Sequence, residues 1–582
     1  MKHKAILLLI ILLIGFKLKA QMPNLIDKDK KASLDKEFID GSKIDIQHLT
    51  ATQSDNLVVL AKIWGFLKYH HPIASGGDYN WDFELFRVMP RILAVKTAAE
   101  RNDIFSNWIA KLGPYKIVVP TVFDASKIKY KPNLQWITTS GFSKKLINEL
   151  NNIRKADRPV ESYYVRIYNE ETPIAIFRNE AAYAGFKYPD AGYRLLGLFR
   201  FWNIYEYFSP YKNIIDKSWD NVLKEYVPKF ATAKDELSYK LTVAAFIAET
   251  QDSHSDISPY DAAFRNYFGA FKPNIEITFV NNQPVVSYSN DEVIGINSLK
   301  KGDIIQSINN ISVAQLIKEK RIYFTGSNQP SVYRKLAAHF LRTNDTVMNV
   351  SYIRNEKTAQ TVIKCFPYNK MNYRKPIPTD TGFKIINGNI AYFHPGRLGN
   401  KLQSVMPVTM KSKAIIIDMR TYPKPTSFAW GIAKYLFTKP MDIARYTEGS
   451  TETPGLFTFM SDDYMKQTRI GEVKTENFKG QVIVLVNEET QSLAELSTMA
   501  LSTRPNTLIV GSQTSGADGT VGMAVTFPGG LSTGFTQIGV YYPNGKETQR
   551  IGIVPDVEVK LTIDGLKEGK DEILEKAISL IK

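Results

Sequence analysis

A gap-free duplication in the first half of the chain restricts how these residues can fold. Eight residues of the first copy, among them two tryptophans and two prolines, recur in the second, each pair 138 positions apart. The matched residues are Leu60, Trp64, Tyr69, Pro72, Trp81, Asp82, Leu85 and Pro90, repeated as Leu198, Trp202, Tyr207, Pro210, Trp219, Asp220, Leu223 and Pro228. Each copy has the pattern of a helix, a proline-containing loop and a second helix that Trp-Asp opens. We therefore predict two related helical units with aromatic cores, at residues 51–185 (copy 1) and 186–265 (copy 2).

The two copies diverge after the shared pattern ends. Copy 2 continues through a helical stretch, Leu237 to Thr250, into the run Gln251-Asp-Ser253-His254-Ser255. At the same offset, copy 1 has only Pro114-Tyr-Lys116. Because histidine is the most common general base in enzymes, copy 2 is the candidate for chemistry. Copy 1 is then its structural companion.

Ser492 has a position suited to a nucleophile. It comes after the apolar run Val482 to Val486, typical of a buried strand, and precedes apolar residues at helical spacing. A hydroxyl at a helix N-terminus lies beside free backbone N–H groups that stabilise developing negative charge. A competing interpretation is purely structural, because Ser492-Leu-Ala-Glu495 also fits the capping box, in which the serine only satisfies an orphan N–H.

The second half of the chain has the pattern of two further domains. Residues 266–370 begin with alternating strands at Ile275 to Val280 and Pro284 to Tyr288 and continue into Gly302-Asp-Ile-Ile-Gln-Ser-Ile-Asn309. That segment resembles PDZ domains, which bind an extended peptide at a sheet edge; an ordinary small β domain is the alternative. Residues 371–582 contain strand-like runs with helices between some of them, which predicts an α/β layer with a mostly parallel sheet. The runs are Ile390–Phe393, Ala414–Met419, Val482–Val486 and Thr507–Val510.

The order of several short motifs makes a family resemblance specific. They are Asp-Ser-His at 252–254, the PDZ-like segment, Ile-Ile-Asp-x-Arg at 416–420, Val-Asn-x-x-x-x-Ser-x-Ala-Glu at 486–495, Gly-x-x-Thr-x-Gly at 511–516 and Gly-Ile-x-Pro-Asp at 552–556. In this order they resemble the S41 peptidases, which include the carboxy-terminal processing proteases and the tricorn core protease. The resemblance runs from about Leu195 to the C-terminus. It implies a multidomain α/β protein with a ClpP/crotonase-like peptidase core, a PDZ-like domain and no cofactor or metal.

The resemblance also indicates which base would activate Ser492. Carboxy-terminal processing members place a lysine directly after the Gly-x-x-Thr-x-Gly motif, where this chain has Ala517. The tricorn-like branch pairs its serine with a histidine that another serine precedes, and Ser253-His254 matches that pair. By this resemblance His254 would deprotonate Ser492 and then protonate the leaving amine, while Ser253 would orient the imidazole.

Two departures from the family pattern leave alternatives open. The tricorn-like glutamate position, three residues before Gly552, holds Gln549, and Glu547 could replace it if the strand shifts. One oxyanion donor would be the N–H of Leu493. The other comes in the family from a glycine-rich turn, but here two prolines occupy that turn and have no N–H to donate. The second donor would therefore be Tyr422 or Lys424.

The N-terminus and the charge indicate an exported protein. Residues 1–20 have two lysines, a short apolar run and Leu18-Lys-Ala20, the pattern of a cleavable signal, and residues 21–50 form a linker. No later run is long enough for a membrane span, so we expect no transmembrane anchor in the mature form and a periplasmic or secreted location. The net charge is +16, but the lysines are scattered, which disfavours a nucleic-acid partner. One cysteine, Cys365, excludes an intrachain disulfide and a cysteine-rich zinc site.

These observations lead to one principal functional hypothesis and two others. The principal hypothesis is an exported serine endopeptidase that cleaves unfolded or extended peptides through an acyl-enzyme. A second is a peptide- or ligand-binding protein on a peptidase scaffold whose catalysis has decayed, which Gln549 and the proline-rich turn favour. A third, a purely structural helical protein, gives no role to Asp-Ser-His.

Overall fold

The computed structural model of the chain describes residue 27 and residues 29–159, 162–289, 299–368 and 381–582. They form a helical unit, a β unit and an α/β core, each built on a buried apolar cluster. The predicted mixed α/β multidomain fold is confirmed. The predicted signal segment and part of the PDZ-like segment, residues 290–298, lie outside the described residues. Within the described ranges, no helix is sufficiently long and apolar to cross a bilayer.

Most of the described helical unit consists of eight helices. They are α1 (Ala51–His70), α2 (Trp81–Ala94), α3 (Ala98–Lys111), α4 (Lys144–Ile153), α5 (Ala191–Phe208), α6 (Trp219–Ala231), α7 (Glu236–Ala248) and α8 (Ala262–Phe268). Short helical turns occur at Lys31–Leu34, Pro72–Ser75 and Trp136–Thr139, and a two-stranded ribbon pairs Val165–Ile167 with Ala175–Phe177. Side-chain caps define the first helix of each copy: the Thr50 hydroxyl accepts from the Gln53 N–H, and the Asp190 carboxylate accepts from the Tyr193 N–H.

The duplicated tryptophans form the same hydrogen-bonded pair in both copies. In copy 1, the indole Nε1 of Trp64 donates to the carbonyl of Trp81 at 2.8 Å, and Trp81 donates back to the carbonyl of Trp64 at 2.8 Å. In copy 2, Trp202 and Trp219 repeat this exchange at 2.8 and 2.9 Å. Each pair fixes its two helices together in a buried position, where an unsatisfied indole N–H would be costly.

The two copies also exchange ion pairs with each other. Lys62 of copy 1 lies 2.7 Å from Asp220 of copy 2. The equivalent residues in reverse, Arg200 of copy 2 and Asp82 of copy 1, are also 2.7 Å apart. Together with the edge-to-face contact of Tyr69 and Tyr207, these pairs give the copies a pseudo-twofold relation. The duplication therefore folds as an internal dimer with a single core.

That core takes in residues from outside the two predicted copies. Phe38, Ile44 and Ile46 from the predicted linker are buried in it. A hairpin from the α/β core, Val525–Thr526 paired with Ser532–Thr533, also enters the helical core and buries Phe527 and Leu531 there. The helical unit and the α/β core are thus joined by shared packing as well as by the chain.

In the described residues, the β unit has a main antiparallel sheet, a short two-stranded pair at its base and two α-helices. Its strands are β1 (Ile275–Val280), β2 (Gln283–Ser289), β3 (Ile304–Ile308), β4 (Val347–Arg354) and β5 (Lys357–Lys364), arranged in the order β5-β4-β3-β2-β1, with Ile311–Ser312 paired to β3. Helices α9 (Val313–Lys320) and α10 (Gln329–Phe340) lie between β3 and β4 in the sequence. Strand β1 is at the edge of the sheet and packs beside α10, which leaves a cleft between them.

The α/β core is built on a sheet whose described strands lie side by side in sequence order. They are β6 (Phe383–Ile386), β7 (Ile390–Phe393), β8 (Ala414–Asp418), β9 (Gln481–Val486), β10 (Thr507–Gly511) and β11 (Val557–Glu558). All neighbours are parallel except β6 and β7, as the apolar runs predicted. The helices include α11 (Leu402–Thr409), α12 (Phe428–Leu436), α13 (Leu493–Ser502), α14 (Ile563–Glu568) and α15 (Glu572–Ser579), with shorter helical segments at Pro395–Leu398 and Asp462–Gln467. Because β8 and β9 are adjacent and parallel, the loops at their carboxyl ends meet at one edge of the sheet.

Smaller strands surround this edge. Arg445–Gly449 pairs with Phe457–Phe459 and Val540–Tyr541, and Ile128–Tyr130 of the helical unit extends that small sheet. A ribbon of Thr520–Val521 and Thr536–Ile538 contacts the end of copy 2 and, together with the start of α13, lines one small cavity. A second short pair, Phe271–Lys272 with Phe366–Pro367, closes the base of the β unit. The candidate catalytic residues lie beside the 520–538 ribbon.

Candidate active site

Ser492 stands between β9 and α13 with an unusual backbone conformation. Its φ of 56° and ψ of −121° lie in a region that a serine adopts only where its surroundings hold it. Its N–H donates to the Ala517 carbonyl at 2.9 Å and to Glu495 Oε2 at 3.1 Å. The glutamate half of a capping box is therefore present, but a serine that serves only as a cap has extended backbone at this position. Ser492 is also partly exposed, as an acyl-transfer nucleophile requires.

A buried glutamate holds the loop that faces Ser492. Glu495 accepts hydrogen bonds from the Thr514 hydroxyl at 2.5 Å, the Gly516 N–H at 2.8 Å and the Ala517 N–H at 2.9 Å. Burial raises the pKa of this carboxyl, and these hydrogen bonds oppose the rise. Because Ala517 replaces the family lysine and is itself buried, this loop supplies no amine base. Its role is to fix the backbone around the serine.

A small cavity opens beside the serine, with an acid at its wall. Ser492, Leu493 and Asp518 line it together with Tyr446 and Thr520, and its volume is about 40 Å³. Asp518 is buried, and burial together with the nearby charge of Glu495 raises its pKa well above the ordinary value. Its Oδ2 has no hydrogen-bond partner among the described residues. Sequence reasoning gave Asp518 no role, since the motif ends at Gly516.

His254 lies at the end of copy 2 with a carboxylate behind it. Its Nδ1 is 3.0 Å from Thr536 Oγ1 and 3.4 Å from Asp252 Oδ1. Asp252 is buried and accepts from the N–H groups of Thr536 at 2.8 Å and His254 at 3.0 Å. Although burial opposes ionisation, the hydrogen bond and charge of His254 and these two N–H groups lower the pKa of Asp252 to about 2. An ionised Asp252 favours the proton on Nδ1, which leaves Nε2 free to act as a base.

Ser253 and Gln549 meet through a third residue rather than directly. The Ser253 hydroxyl accepts from the Ser327 N–H at 2.9 Å, and the Ser253 N–H donates to the Ser327 hydroxyl at 2.9 Å. Gln549 Nε2 donates to the Ser327 hydroxyl at 3.2 Å and to Asp252 Oδ1 at 3.5 Å. The imidazole contact that the resemblance implies for Ser253 is made here by Asp252 and Thr536. The sequence signal for Asp252 was present, since it is the first residue of Asp-Ser-His.

The other residues predicted for the site are placed differently. Glu547 pairs with Lys129 at 2.7 Å and accepts from the Tyr130 hydroxyl at 3.1 Å, so its carboxylate is held by copy 1. The Lys424 N–H donates to the Pro395 carbonyl at 3.0 Å and is occupied as a donor. Burial and the charge of Asp518 raise the pKa of Tyr422 to about 12.

One predicted oxyanion donor is available in the structure. Leu493 is the first residue of α13, and the N–H of a first helical residue has no partner within the helix. In the described part of the chain, no other group accepts from it. The positive end of the α13 dipole adds to the same site. A tetrahedral intermediate at Ser492 would therefore find at least one donor in place.

The serine and the histidine reach the site from different units. No hydrogen bond joins Ser492 to His254, both of which lie in the described ranges. The 520–538 ribbon connects them: Thr520 lines the serine cavity, and Thr536, paired with Val521, contacts the imidazole. Catalytic hydrogen bonds are often long in unliganded enzymes and shorten when substrate binds. Within the described residues no group of three or more histidine, cysteine, aspartate or glutamate side chains could hold a metal ion.

Comparisons with known proteins show a clear relation for the α/β core. The profile of Peptidase family S41 matches residues 398–559. The structure of mature CPAF complexed with lactacystin aligns at 13% identity and a TM-score of 0.51, covering 67% of this chain and 98% of that chain. A crystal structure of a CPAF serine-to-alanine mutant aligns at 12% identity and a TM-score of 0.52, covering 67% and 97%. The tricorn protease aligns at 14% identity and a TM-score of 0.33, covering 67% of this chain and 36% of that chain. No curated protein sequence matches the chain.

Proposed function

The chain belongs to peptidase family S41 through its α/β core, and from that premise we propose that it is an exported serine endopeptidase of unfolded or extended peptides. The observation that carries this proposal is the backbone of Ser492, held at positive φ beside the open Leu493 N–H donor. Backbone strain of this kind costs of order 1–3 kcal/mol and is concentrated at active sites. A structural cap requires neither the strain nor the open donor.

The proposed reaction is acyl transfer in two steps. In the first, Ser492 Oγ attacks the scissile carbonyl while His254 Nε2 takes the hydroxyl proton. The oxygen of the tetrahedral intermediate gains negative charge beside the Leu493 N–H and the N-terminus of α13. The intermediate collapses when the C–N bond breaks, and His254 gives its proton to the leaving amine. In the second step, water loses a proton to His254 and attacks the acyl carbon; the ester bond to Ser492 Oγ then breaks, and His254 returns the proton to Ser492 Oγ as the carboxylic acid leaves.

Asp252 supplies the charge that Gln549 cannot. Gln549 occupies the position where the resemblance expects a glutamate, and its amide approaches Asp252 Oδ1 at 3.5 Å. An ionised carboxylate 3.4 Å from the His254 Nδ1 stabilises the imidazolium that forms in both steps. We therefore assign Ser492, His254 and Asp252 as the catalytic group, with Ser253, Ser327 and Gln549 holding the His254 loop.

The cleft between β1 and α10 is the proposed docking site for the substrate chain. It has a volume of about 510 Å³, and its walls include Phe279 on β1 and Tyr333 on α10. Glu488 and Glu489, which precede Ser492 in the same loop, also line the cleft. An extended peptide that paired with the free edge of β1 would run toward the nucleophile. This cleft supports the PDZ-like role proposed for residues 266–370.

A fluorophosphonate probe tests the nucleophile directly. We expect labelling of the wild-type protein, loss of labelling in Ser492→Ala, and strongly slowed labelling in His254→Ala and Asp252→Asn. Ser502→Ala is the matched control, because Ser502 ends the same helix and its hydroxyl bonds to the Met499 carbonyl. Equal labelling of wild type and Ser492→Ala would refute the assignment. Lactacystin, which the CPAF structure contains, is a second probe for the same four variants.

A catalytically impaired binding protein remains the second candidate. It is favoured by the Lys424 N–H, which is bound to Pro395 and unavailable as the second oxyanion donor. Loss of one such donor costs about 3–4 kcal/mol of transition-state stabilisation. Turnover of an unfolded protein substrate that Ser492→Ala abolishes would exclude this candidate. Peptide binding without turnover, unchanged in Ser492→Ala, would establish it.

Export is part of the proposal and has its own test. The pattern of residues 1–20 motivates it. We expect the full-length precursor, expressed in a bacterium with an outer membrane, to yield a periplasmic or secreted product that begins near Gln21. An intact N-terminus on a product found only in the cytoplasm would contradict it.

A further inference from the structure

A large cavity lies on the opposite face of α10 from the substrate cleft. Tyr333 and Arg334 of α10 face the cleft, whereas Lys335, Ala338 and His339 line this second space. The cavity, which we call the α10 cavity, has a volume of about 1160 Å³ and lies between the helical unit and the β unit. Ser492, His254 and Asp252, all described, are not among its lining residues. The proposed peptidase reaction therefore does not account for it.

A buried arginine with two idle donors lies in the wall of the α10 cavity. Arg342 is 5% exposed, and its Nη1 is engaged with the Tyr260 hydroxyl at 2.8 Å and His339 Nδ1 at 3.3 Å. Its Nε and Nη2 have no hydrogen-bond partner among the described residues. The guanidinium lies over the rings of Tyr368, 4.3 Å away, and Tyr260, 5.2 Å away. Nε and Nη2 form an edge of the guanidinium that matches both oxygens of one carboxylate. Both atoms are themselves buried, so a ligand reaches this edge only when the surrounding side chains rearrange.

The remaining charges of the α10 cavity also favour an anion. Among the described residues that line it, Asp256 is the single carboxylate, and Lys335 already binds it. Burial, together with the positive charges of Arg342, Lys272 and Lys320, lowers the pKa of His339 to about 3. Within the described part of the chain, the guanidinium of Arg342 thus lies in positive surroundings without a carboxylate of its own. A buried guanidinium is normally paired with an anion, because an unpaired buried charge is costly.

Apart from Ser255, Arg265 and Thr325, the rest of the lining is apolar and aromatic. Helix α7 contributes Ala244 and Ile247, α8 contributes Phe264 and Phe268, and the short helix after α9 contributes Tyr323. A small inorganic anion would leave this surface unused. A carboxylate with an apolar body would satisfy Arg342 and fill the remainder of the space.

We propose that the α10 cavity is a binding site for an amphipathic carboxylate, with Arg342 as the residue that recognises the carboxyl group. The site bears on the His254 loop, because Lys335 in its wall donates to the Ser253 carbonyl at 2.9 Å and to the Thr325 hydroxyl at 2.9 Å. Two sources supply this chemistry: a fatty acid, or the free C-terminus of a peptide that ends in an aromatic residue. Binding does not depend on peptidase activity, so failure of one proposal leaves the other intact.

Calorimetric titration of the full-length protein with two matched pairs of probes tests the site. The first pair is decanoate and decanamide, and the second is a tetrapeptide ending in phenylalanine as its free acid and as its C-terminal amide. We expect at least one acid to bind and its amide to bind about 10-fold more weakly or worse, since a charge-assisted pair is lost. Tighter binding of decanoate identifies the lipid-like source, and tighter binding of the peptide acid identifies the chain end. Equal binding of acid and amide, or no binding by either acid, overturns the proposal.

Substitutions locate the effect at Arg342. We expect Arg342→Gln to weaken binding of the preferred acid about 10-fold or more. Arg342→Lys keeps a positive charge but lacks the two-donor edge, so its affinity for the acid should lie between that of Arg342→Gln and that of the wild type. Arg265→Gln is the matched control, because Arg265 also lines the cavity but is exposed at its rim. If Arg342→Gln does not fold, the affinities of Arg342→Lys and Arg265→Gln for the acid are compared instead, and weaker binding in Arg342→Lys alone supports the role of Arg342. Unchanged affinity in Arg342→Lys and in Arg342→Gln would refute the role of Arg342.

Discussion

Copy 1 and copy 2 of the helical unit have the same framework and different endings. Both copies contain the reciprocal tryptophan pair. Two ion pairs join the copies, and in each of them one residue comes from copy 1 and the other from copy 2. In copy 2 the framework leads to Asp252 and His254; at the same offsets copy 1 has Pro114 and Lys116. Copy 1 instead contacts the core, where Lys129 and Tyr130 hold Glu547. Under the proposed function, copy 2 supplies residues for the chemistry, whereas copy 1 contributes packing alone.

The environments of the two ion pairs also differ. Arg200 and Asp82 are 0% and 5% exposed, and Glu180 and Lys68 complete a buried network with them. The symmetry-related pair of Lys62 and Asp220 has an aspartate that is 37% exposed. Charge removal is therefore expected to affect the two copies unequally, although the pairs have the same distance. Matched substitutions in the two copies can measure this inequality.

The largest difference between matched substitutions in copy 1 and copy 2 is expected for catalytic activity. His254→Ala should reduce peptide hydrolysis by about 10³-fold, because general base catalysis contributes roughly 10²–10⁴-fold. Lys116→Ala, at the matching offset in copy 1, should have wild-type activity, because its contact is an exposed pair with Asp157. Rates of cleavage of an unfolded protein substrate measure both. A comparable loss in Lys116→Ala would show that the two copies are not functionally distinct.

The second difference concerns stability. Asp82→Asn should lower the free energy of unfolding by about 3 kcal/mol, because it leaves buried Arg200 and Lys68 with Glu180 as their remaining carboxylate. Asp220→Asn should cost no more than about 1 kcal/mol, as for other exposed pairs. Urea unfolding followed by tryptophan fluorescence suits this test, since six of the seven tryptophans belong to the helical unit. Equal losses would contradict the difference in burial.

The third prediction concerns pH and applies to copy 2 alone. Asp252 has a folded-state pKa of about 2, below the ordinary value, so its ionised form stabilises the fold above about pH 4 and this contribution is lost as the pH falls toward 2. The full contribution is about 2 kcal/mol, of which about 1 kcal/mol should be lost between pH 5 and pH 3. Asp252→Asn should lack that part of the pH dependence of the unfolding free energy, measured by urea titration. The same slope in both proteins would show that Asp252 is not held ionised.

The smallest difference is expected for the tryptophan pairs. Trp81→Phe and Trp219→Phe each remove one indole donor and should each cost about 1–2 kcal/mol of stability. Only Trp219→Phe should also reduce activity, by a few-fold, since Trp219 packs on Tyr205, whose hydroxyl donates to the Thr250 carbonyl close to Asp252 in the chain. Activity measured at a temperature where both variants are folded separates the effects. An equal loss of activity in Trp81→Phe would indicate a general loss of stability instead.

Local patterns predicted the main elements of the fold well. The strands at Ile390–Phe393 and Ala414–Asp418 and the helix after Ser492 agree with apolar periodicity alone, which is strong in a buried parallel sheet. The pseudo-twofold packing of the copies could not be predicted, because it depends on pairs such as Lys62 with Asp220 that are far apart in sequence. Likewise, nothing local shows that Phe527 completes the helical core.

The candidate site shows the same division. Motif order predicted Ser492 and His254 as site residues; in the structure Thr520 lines the same cavity as Ser492, and Thr536 contacts the His254 imidazole. The role of Asp252 could not be separated from that of Ser253, because neighbouring residues in a loop point in directions that only tertiary contacts determine. No sequence pattern pointed to Arg342 or Asp518. What distinguishes them is that each has buried polar atoms without a hydrogen-bond partner among the described residues, and only the structure shows this.

The hairpin at 525–533 has a consequence for how the protein is made. Phe527 and Leu531 fill the helical core, and the Pro528 carbonyl accepts from the Tyr239 hydroxyl at 2.7 Å. During synthesis at about 5–20 residues per second, the ribosome finishes both helical copies tens of seconds before it reaches this hairpin. Throughout that interval the helical unit has an open apolar site and an incomplete core. Its last folding step therefore coincides with the completion of the catalytic core, and a stable peptidase does not exist until nearly all of the chain has been made.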